Sequence, residues 1–254
     1  METWEIVLLT LAGVVAGWLN VLAGGGSLLT VPLMIFMGIP GPVANGTNRI
    51  AILMQNITAV ATFRSRGFSD FRLSLTLAAA ASLGALFGAN VGVHLEGEWF
   101  NRVLALIMVG VMVIMGHDGL KHGGASKAQQ GEDDGRPRNL LLGHILMVGA
   151  GFWGGFIQLG VGFILMPILH RVMGLNLVLT NMHKVFVVLV YTLVALAVFA
   201  SQLQLLWWVG LWLALGNSIG GWLGAHTAVS RGENWIRWVL NLTLAAFIIK
   251  LLFF

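Results

Sequence analysis

Apolar runs about as long as a membrane is thick recur along this 254-residue chain, and no other feature limits its fold so strongly. A helix rising about 1.5 Å per residue needs roughly 20 apolar residues to cross a hydrocarbon core. That ruler predicts spans at 5–22, 43–63, 73–93, 99–116, 140–158, 178–200, 203–226 and 234–253. The runs are continuous rather than alternating, which argues against a transmembrane barrel. The expected fold class is therefore an all-α polytopic membrane protein of about eight transmembrane helices. Composition agrees: 9% of residues are charged and 57% hydrophobic, too few charges to cover a soluble domain.

The small charged set also bears on function. A net charge of +4 does not make a cationic face, so nucleic acid is not an expected partner. The sequence has no cysteine, which removes disulfides, thiolate metal sites and cysteine nucleophiles. It has no Walker loop, no HExxH and no paired carboxylates or Ser/His/Asp set in motif context, so no catalytic residues, cofactor or metal are expected and an enzyme is disfavoured. Acidic residues at Glu2 and Glu5 precede the first apolar run. That run is expected to stay as a membrane helix rather than to be cleaved as a signal peptide.

The two ends of the chain resemble each other. A shift of 135 places Gly25 on Gly160, Pro32 on Pro167, and Asn48-Arg49 on His183-Lys184; a shift of 136 places Gly84 on Gly220, Gly88 on Gly224 and Trp99 on Trp235. Between them lies a polar, glycine-rich stretch that cannot build a core. The expected organisation is a first repeat at 1–116, a hydrophilic linker at 117–139 and a second repeat at 140–254. Internal repeats of this kind are a transporter signature. Arg64, Arg66 and Arg72, with Lys121, Lys127, Arg136 and Arg138 in the linker, bias both termini to the cytoplasm. Four spans per repeat give parallel repeats; an extra crossing near 28–38 would invert them.

Each repeat carries an interrupted helix. The first span runs into Asn20, then Gly24-Gly25-Gly26-Ser27, and a short apolar piece around Pro32 follows. The second runs through Gln158, Gly160 and Gly162 to a piece around Pro167. These pieces are too short to cross, whether re-entrant or part of a broken span. Exposed backbone at membrane depth must be satisfied by protein, water or ligand, and matched interruptions in two halves point to a substrate site. The glycines also serve tight packing or a plain interhelical loop, and that alternative stands.

Just downstream lie Asn45, Thr47, Asn48 and Arg49, matched by Asn181, His183 and Lys184, with Tyr191 further along. No Asp or Glu falls in either span, so two cations at membrane depth lack an obvious carboxylate. An anion between two half-helix N-termini would neutralise them. Against this, both cations could snorkel to lipid phosphate. His183 could couple transport to protons. Gln55, Asn56 and Tyr191 either finish a polar cavity or bond neighbouring helices. Gly84, Gly88, Gly92 and Gly216, Gly220, Gly224 are expected to be packing strips.

The stretch from Gly17 to Leu33 with Asn45-Gly-Thr-Asn-Arg49, and its later counterpart Gly151 to Ile168 with Asn181-Met-His-Lys184, resembles the sulfite exporter TauE/SafE family. The resemblance implies a bacterial inner-membrane permease for sulfite, sulfoacetate or other organosulfonates, most simply an exporter. Leu159 and Val161 stand where the first repeat has Gly24 and Gly26, which departs from a matched glycine run. Expected partners are a small anion and the lipid bilayer, with a homodimer left open. The competing readings are a membrane scaffold or assembly factor, and a permease for another small organic anion.

Overall fold

The computed structural model describes residues 3–95 and 137–253, with 99, 100, 102, 103 and 106 between them. Every regular element among them is helical. The elements are α1 (Thr3–Leu22), α2 (Ser27–Phe36), α3 (Gly41–Ser65), α4 (Phe71–His94), α5 (Leu140–Phe156), α6 (Val161–Pro167), α7 (Leu177–Gln202) and α8 (Trp207–Phe253). A π-helical turn, Ile168–Val172, extends α6. The predicted span at 99–116 and most of the predicted linker at 117–139 lie outside the described residues.

Local chemistry explains the boundaries. Glu5 sits in the first turn of α1, where the helix dipole favours an acid. Asp70 and Asn176 cap α4 and α7 by accepting from Leu73 N at 3.3 Å and Leu179 N at 2.9 Å. Pro40 and Pro42 open α3, where a missing amide costs nothing. The predicted spans 203–226 and 234–253 both fall within α8, as two helical segments separated by a kink at Gly232 (φ 69°, ψ −164°).

Among the described residues, three helices are long and apolar enough, by length and composition, to cross a membrane: Thr3–Leu22, Arg72–His94 and Leu177–Gln202. The outer faces match that use. Leu11, Leu83, Phe87, Leu141, Leu193 and Trp208 are all exposed, as lipid-facing side chains are. α3 runs 25 residues but is less apolar, because Asn45, Thr47, Asn48, Arg49, Gln55 and Asn56 are all buried along it. It is an internal helix whose polar face looks at protein.

The packing interleaves the two sequence halves. α1 lies along α8, α5 lies along α4, and α3 and α7 pack on α8 and α4 respectively. Glycine strips permit these approaches: a Cβ on Gly84 or Gly88 would run into the carbonyls of Val148 or Phe152 on α5, and one on Gly216 or Gly220 into those of Thr10 or Val14 on α1. The four-residue glycine spacing thus serves helix contact.

Candidate functional site: two capped helix ends around a small polar cavity

The broken helices meet at the centre. α1 stops where Gly24 adopts φ 87°, a conformation open to glycine at little cost. Gly24 also touches Gly162 backbone to backbone, so a Cβ on either would overlap the other. α5 stops at Phe156, and the chain then turns through Gln158 (φ 63°) and Gly160 (φ 66°). A non-glycine residue in the left-handed region stores about 1–3 kcal/mol and persists only where its surroundings hold it. For Gln158 the side chains that bond it are Arg49 and Tyr191.

Arg49 lies about 12 Å along α3 from its first residue, and it is 0% exposed. Its guanidinium donates to Gly154 O at 2.9 Å and Gly155 O, and to Gln158 Oε1 at 2.9 Å. The Phe199 ring covers it at 4.5 Å. Lys184, 2% exposed, donates to Val21 O at 2.6 Å and Asn181 Oδ1 at 2.7 Å. Neither cation reaches the surface. Each reaches the last turn of a broken helix in the opposite sequence half, where unsatisfied carbonyls and the negative end of the dipole accept a cation.

Between these junctions lies a cavity of about 20 Å³ lined by Asn20, Gly24, Ser27, Ile52, Gln55, Asn56, Gln158, Val161, Gly162, Lys184 and Val188, room for one or two waters. Eight of the residues singled out from sequence therefore line it: Asn20, Gly24, Ser27, Gln55, Asn56, Gln158, Gly162 and Lys184. Arg49 does not; it stands behind Gln158. This differs from the expectation of two cations facing one chamber, and the cause is the carbonyl pair of α5, which claims the guanidinium first.

The remaining residues singled out from sequence are placed around the cavity rather than on it. Gly25 packs against the Phe163 ring. Gly26 N donates to Asn20 Oδ1 at 2.7 Å, and Gly160 precedes α6. Asn45 Nδ2 caps Phe156 O at 2.9 Å. Thr47 Oγ1 accepts from Leu206 N at 3.2 Å, and Asn48 Oδ1 accepts from Thr30 Oγ1 at 2.8 Å. Asn181 steadies Lys184. His183 Nδ1 lies 2.8 Å from Ser74 Oγ, away from the cavity lining. Tyr191 OH accepts from Gln158 Nε2 at 3.2 Å.

Gln55, Asn56 and Ile52 complete the lining from α3. Their spacing from one another, three and four residues, puts them on one helix face. Asn217 was not singled out from sequence, yet its Nδ2 donates to Gln55 Oε1 at 3.2 Å. A carboxamide deep inside the apolar 203–226 run was the available signal.

The amide groups have a definite sense. Gly26 N can only donate, so it fixes Asn20 Oδ1 and turns Asn20 Nδ2 towards Gln55 Oε1, at 3.1 Å. Arg49 can only donate, so it fixes Gln158 Oε1 and leaves Nε2 as that residue's outward group. Three carboxamide oxygens are thus consumed by the protein. Gln55 Nε2, one N–H of Gln158 and the third N–H of Lys184 have no partner among the described residues. Asn56 runs the other way: its Nδ2 is spent on Ile52 O at 2.7 Å, leaving one acceptor, Oδ1. The cavity wall is donor-rich and positive.

A helical membrane protein with broken helices meeting at a buried polar cavity is built as a transporter is built. Comparison with known proteins agrees: residues 9–251 match the sulfite exporter TauE/SafE family, and the chain belongs to that family. It is 26% identical over 249 residues to a probable membrane transporter protein, ORF9, of Sinorhizobium sp, covering 97% of this chain and 92% of the relative. A probable membrane transporter protein of Haemophilus influenzae is 26% identical over 91% of this chain and 88% of its own length. The probable membrane transporter protein YfcA of Escherichia coli K12 is 23% identical over 94% and 86%. No solved structure gives a significant match.

Proposed function

We propose that this chain is a permease of the bacterial inner membrane that carries small sulfur oxyanions outward, with sulfite, sulfoacetate or another organosulfonate as cargo. Two four-span repeats, 1–116 and 140–254, joined by the linker 117–139, rock about the central cavity to expose it to either side. Both termini face the cytoplasm. The cavity is smaller than a sulfur oxyanion, so the α1 and α5 ends must part for cargo to enter.

The observation that carries this reading is the donor bias of the wall. Sulfite and sulfonate groups each present three acceptor oxygens around one sulfur, and these match N–H groups from Gln55, Gln158 and Lys184 better than any cation would. The inside-negative potential adds about 2.3 kcal/mol per charge per 100 mV in the export direction. Export therefore needs no separate energy source. The test is flux of labelled sulfite and sulfoacetate in proteoliposomes, comparing wild type with Gln55→Glu. Glutamate keeps the oxygen that Asn20 and Asn217 bond but replaces the inward donor with an anionic acceptor. Anion flux should fall at least tenfold; equal flux in the variant would remove the donor wall as the basis of selectivity.

A further inference from the structure

The last carbonyls of a helix have no amide partners and carry partial negative charge. Where helices break inside a membrane, such ends are places where transporters hold a sodium ion or a proton. In this chain both ends are already filled. At α1, Val21 O receives Lys184 Nζ at 2.6 Å, with Asn181 Oδ1 at 2.7 Å completing the cage. At α5, Gly154 O and Gly155 O receive Arg49, and Phe156 O receives Asn45 Nδ2 at 2.9 Å. The two cations sit at positions related by the 135-residue shift, and each crosses to the other sequence half. α3 and α7 contain no Asp or Glu, so neither helix brings a carboxylate to neutralise its cation or to ligate a metal ion.

We propose that these two helix ends are cation sites occupied by the chain's own tethered cations, so that anion passage requires no co-transported alkali cation. Removing the Lys184 ammonium then leaves an oxygen cage that binds a free cation, either a primary alkylammonium or Na⁺. Truncation to alanine removes three carbons and the nitrogen, the size of n-propylammonium. The cage abuts the cavity, which gives such an ion a way in.

Two measurements decide it, and only the second rests on the anion-transport reading. The first is thermal unfolding of the full chain in detergent, as wild type and as Lys184→Ala, with propylammonium, sodium or choline chloride. The variant's Tm should rise by about 2–4 °C with propylammonium or sodium and not with choline, while the wild type responds to none of them. A variant indifferent to all three overturns the proposal. If the variant can be purified only with propylammonium present, and unfolds on its removal, that is the same positive result. The second is wild-type flux with N-methylglucamine as the only bulk cation, which should equal flux in sodium or potassium; a tenfold loss overturns the proposal, and it also decides the case if Lys184→Ala never folds. Absence of flux for every anion in every medium would instead defeat the transport reading, with the unfolding measurement still standing.

Discussion

Arg49 and Lys184 occupy matching positions on α3 and α7, and each seals the end of a broken helix, yet they differ in what they leave over. Arg49 spreads donors over two carbonyls and a carboxamide and lies under the Phe199 ring, with no face on the cavity. Lys184 uses two of three N–H groups on such contacts and is itself one of the residues lining the cavity. The side-chain chemistry explains the division. A planar fork suits two adjacent carbonyls that will not move relative to each other, whereas a point charge on a flexible stem can share itself with a transient ligand. One junction is built to hold and the other to respond.

The largest effect that would break this comparison comes from Arg49→Ala. It uncaps Gly154 O and Gly155 O at the α5 end and frees Gln158 from one of the two side chains that bond it, leaving Tyr191. Loss of these charge-assisted bonds should cost about 3–5 kcal/mol, read as a lower unfolding temperature in detergent, with flux abolished. Arg49→Lys should rescue little, because an ammonium cannot bridge Gly154 O, Gly155 O and Gln158 Oε1 together. Full stability in Arg49→Lys would mean the two junctions are interchangeable.

Lys184→Ala ranks next and should divide differently. Flux should fall by at least tenfold, while the stability loss stays about 1–3 kcal/mol, since one carbonyl is uncapped rather than two. A stability loss as large as that of Arg49→Ala would erase the distinction between a holding and a responding cation.

The sequence carried the outline of this arrangement further than its details. The apolar runs were legible because membrane depth leaves a long-period signal that no local contact disguises, and the 135-residue shift that pairs Arg49 with Lys184 is read directly from the sequence. The matched interruptions at Gly25 and Gly160 were legible because exposed backbone in lipid is costly. What sequence could not resolve was partner choice. Arg49 and Lys184 each had an anion, a lipid phosphate and a helix end as chemically acceptable partners, and only coordinates separate a carbonyl 2.9 Å away from a cavity one residue further off. The sense of each carboxamide was equally hidden, since it depends on a backbone amide at Gly26 and a guanidinium on another helix. Asn217 escaped for the same reason: its role exists only through Gln55.

Gln158 sharpens the comparison on a finer scale, because it is the one residue that links the sealed junction to the cavity. Gln158→Ala removes the bond to Arg49 and the bond to Tyr191 and leaves a non-glycine residue at φ 63°. Gln158→Gly removes the same bonds but relaxes the backbone. The two variants should therefore differ in stability by about 1 kcal/mol in favour of glycine, measured by thermal unfolding, while showing equally reduced flux. Equal stability would mean that the backbone leaves the left-handed region once the Gln158 side chain is lost, so that packing alone does not hold the turn.

The smallest expected effect tests whether the reach of Lys184 extends to its neighbour. His183 is buried beside Lys184 in sequence, but a one-residue step turns a helical side chain by about 100°, and its ring meets Ser74 on α4 instead of the cavity. Ser74→Ala should then cost about 1 kcal/mol for a lost buried hydrogen bond and leave anion flux within twofold of wild type at constant pH. If flux instead dropped as far as in Lys184→Ala, the Ser74–His183 pair would have to belong to the transport path, and the responding junction would extend across α7 to the side packed on α4.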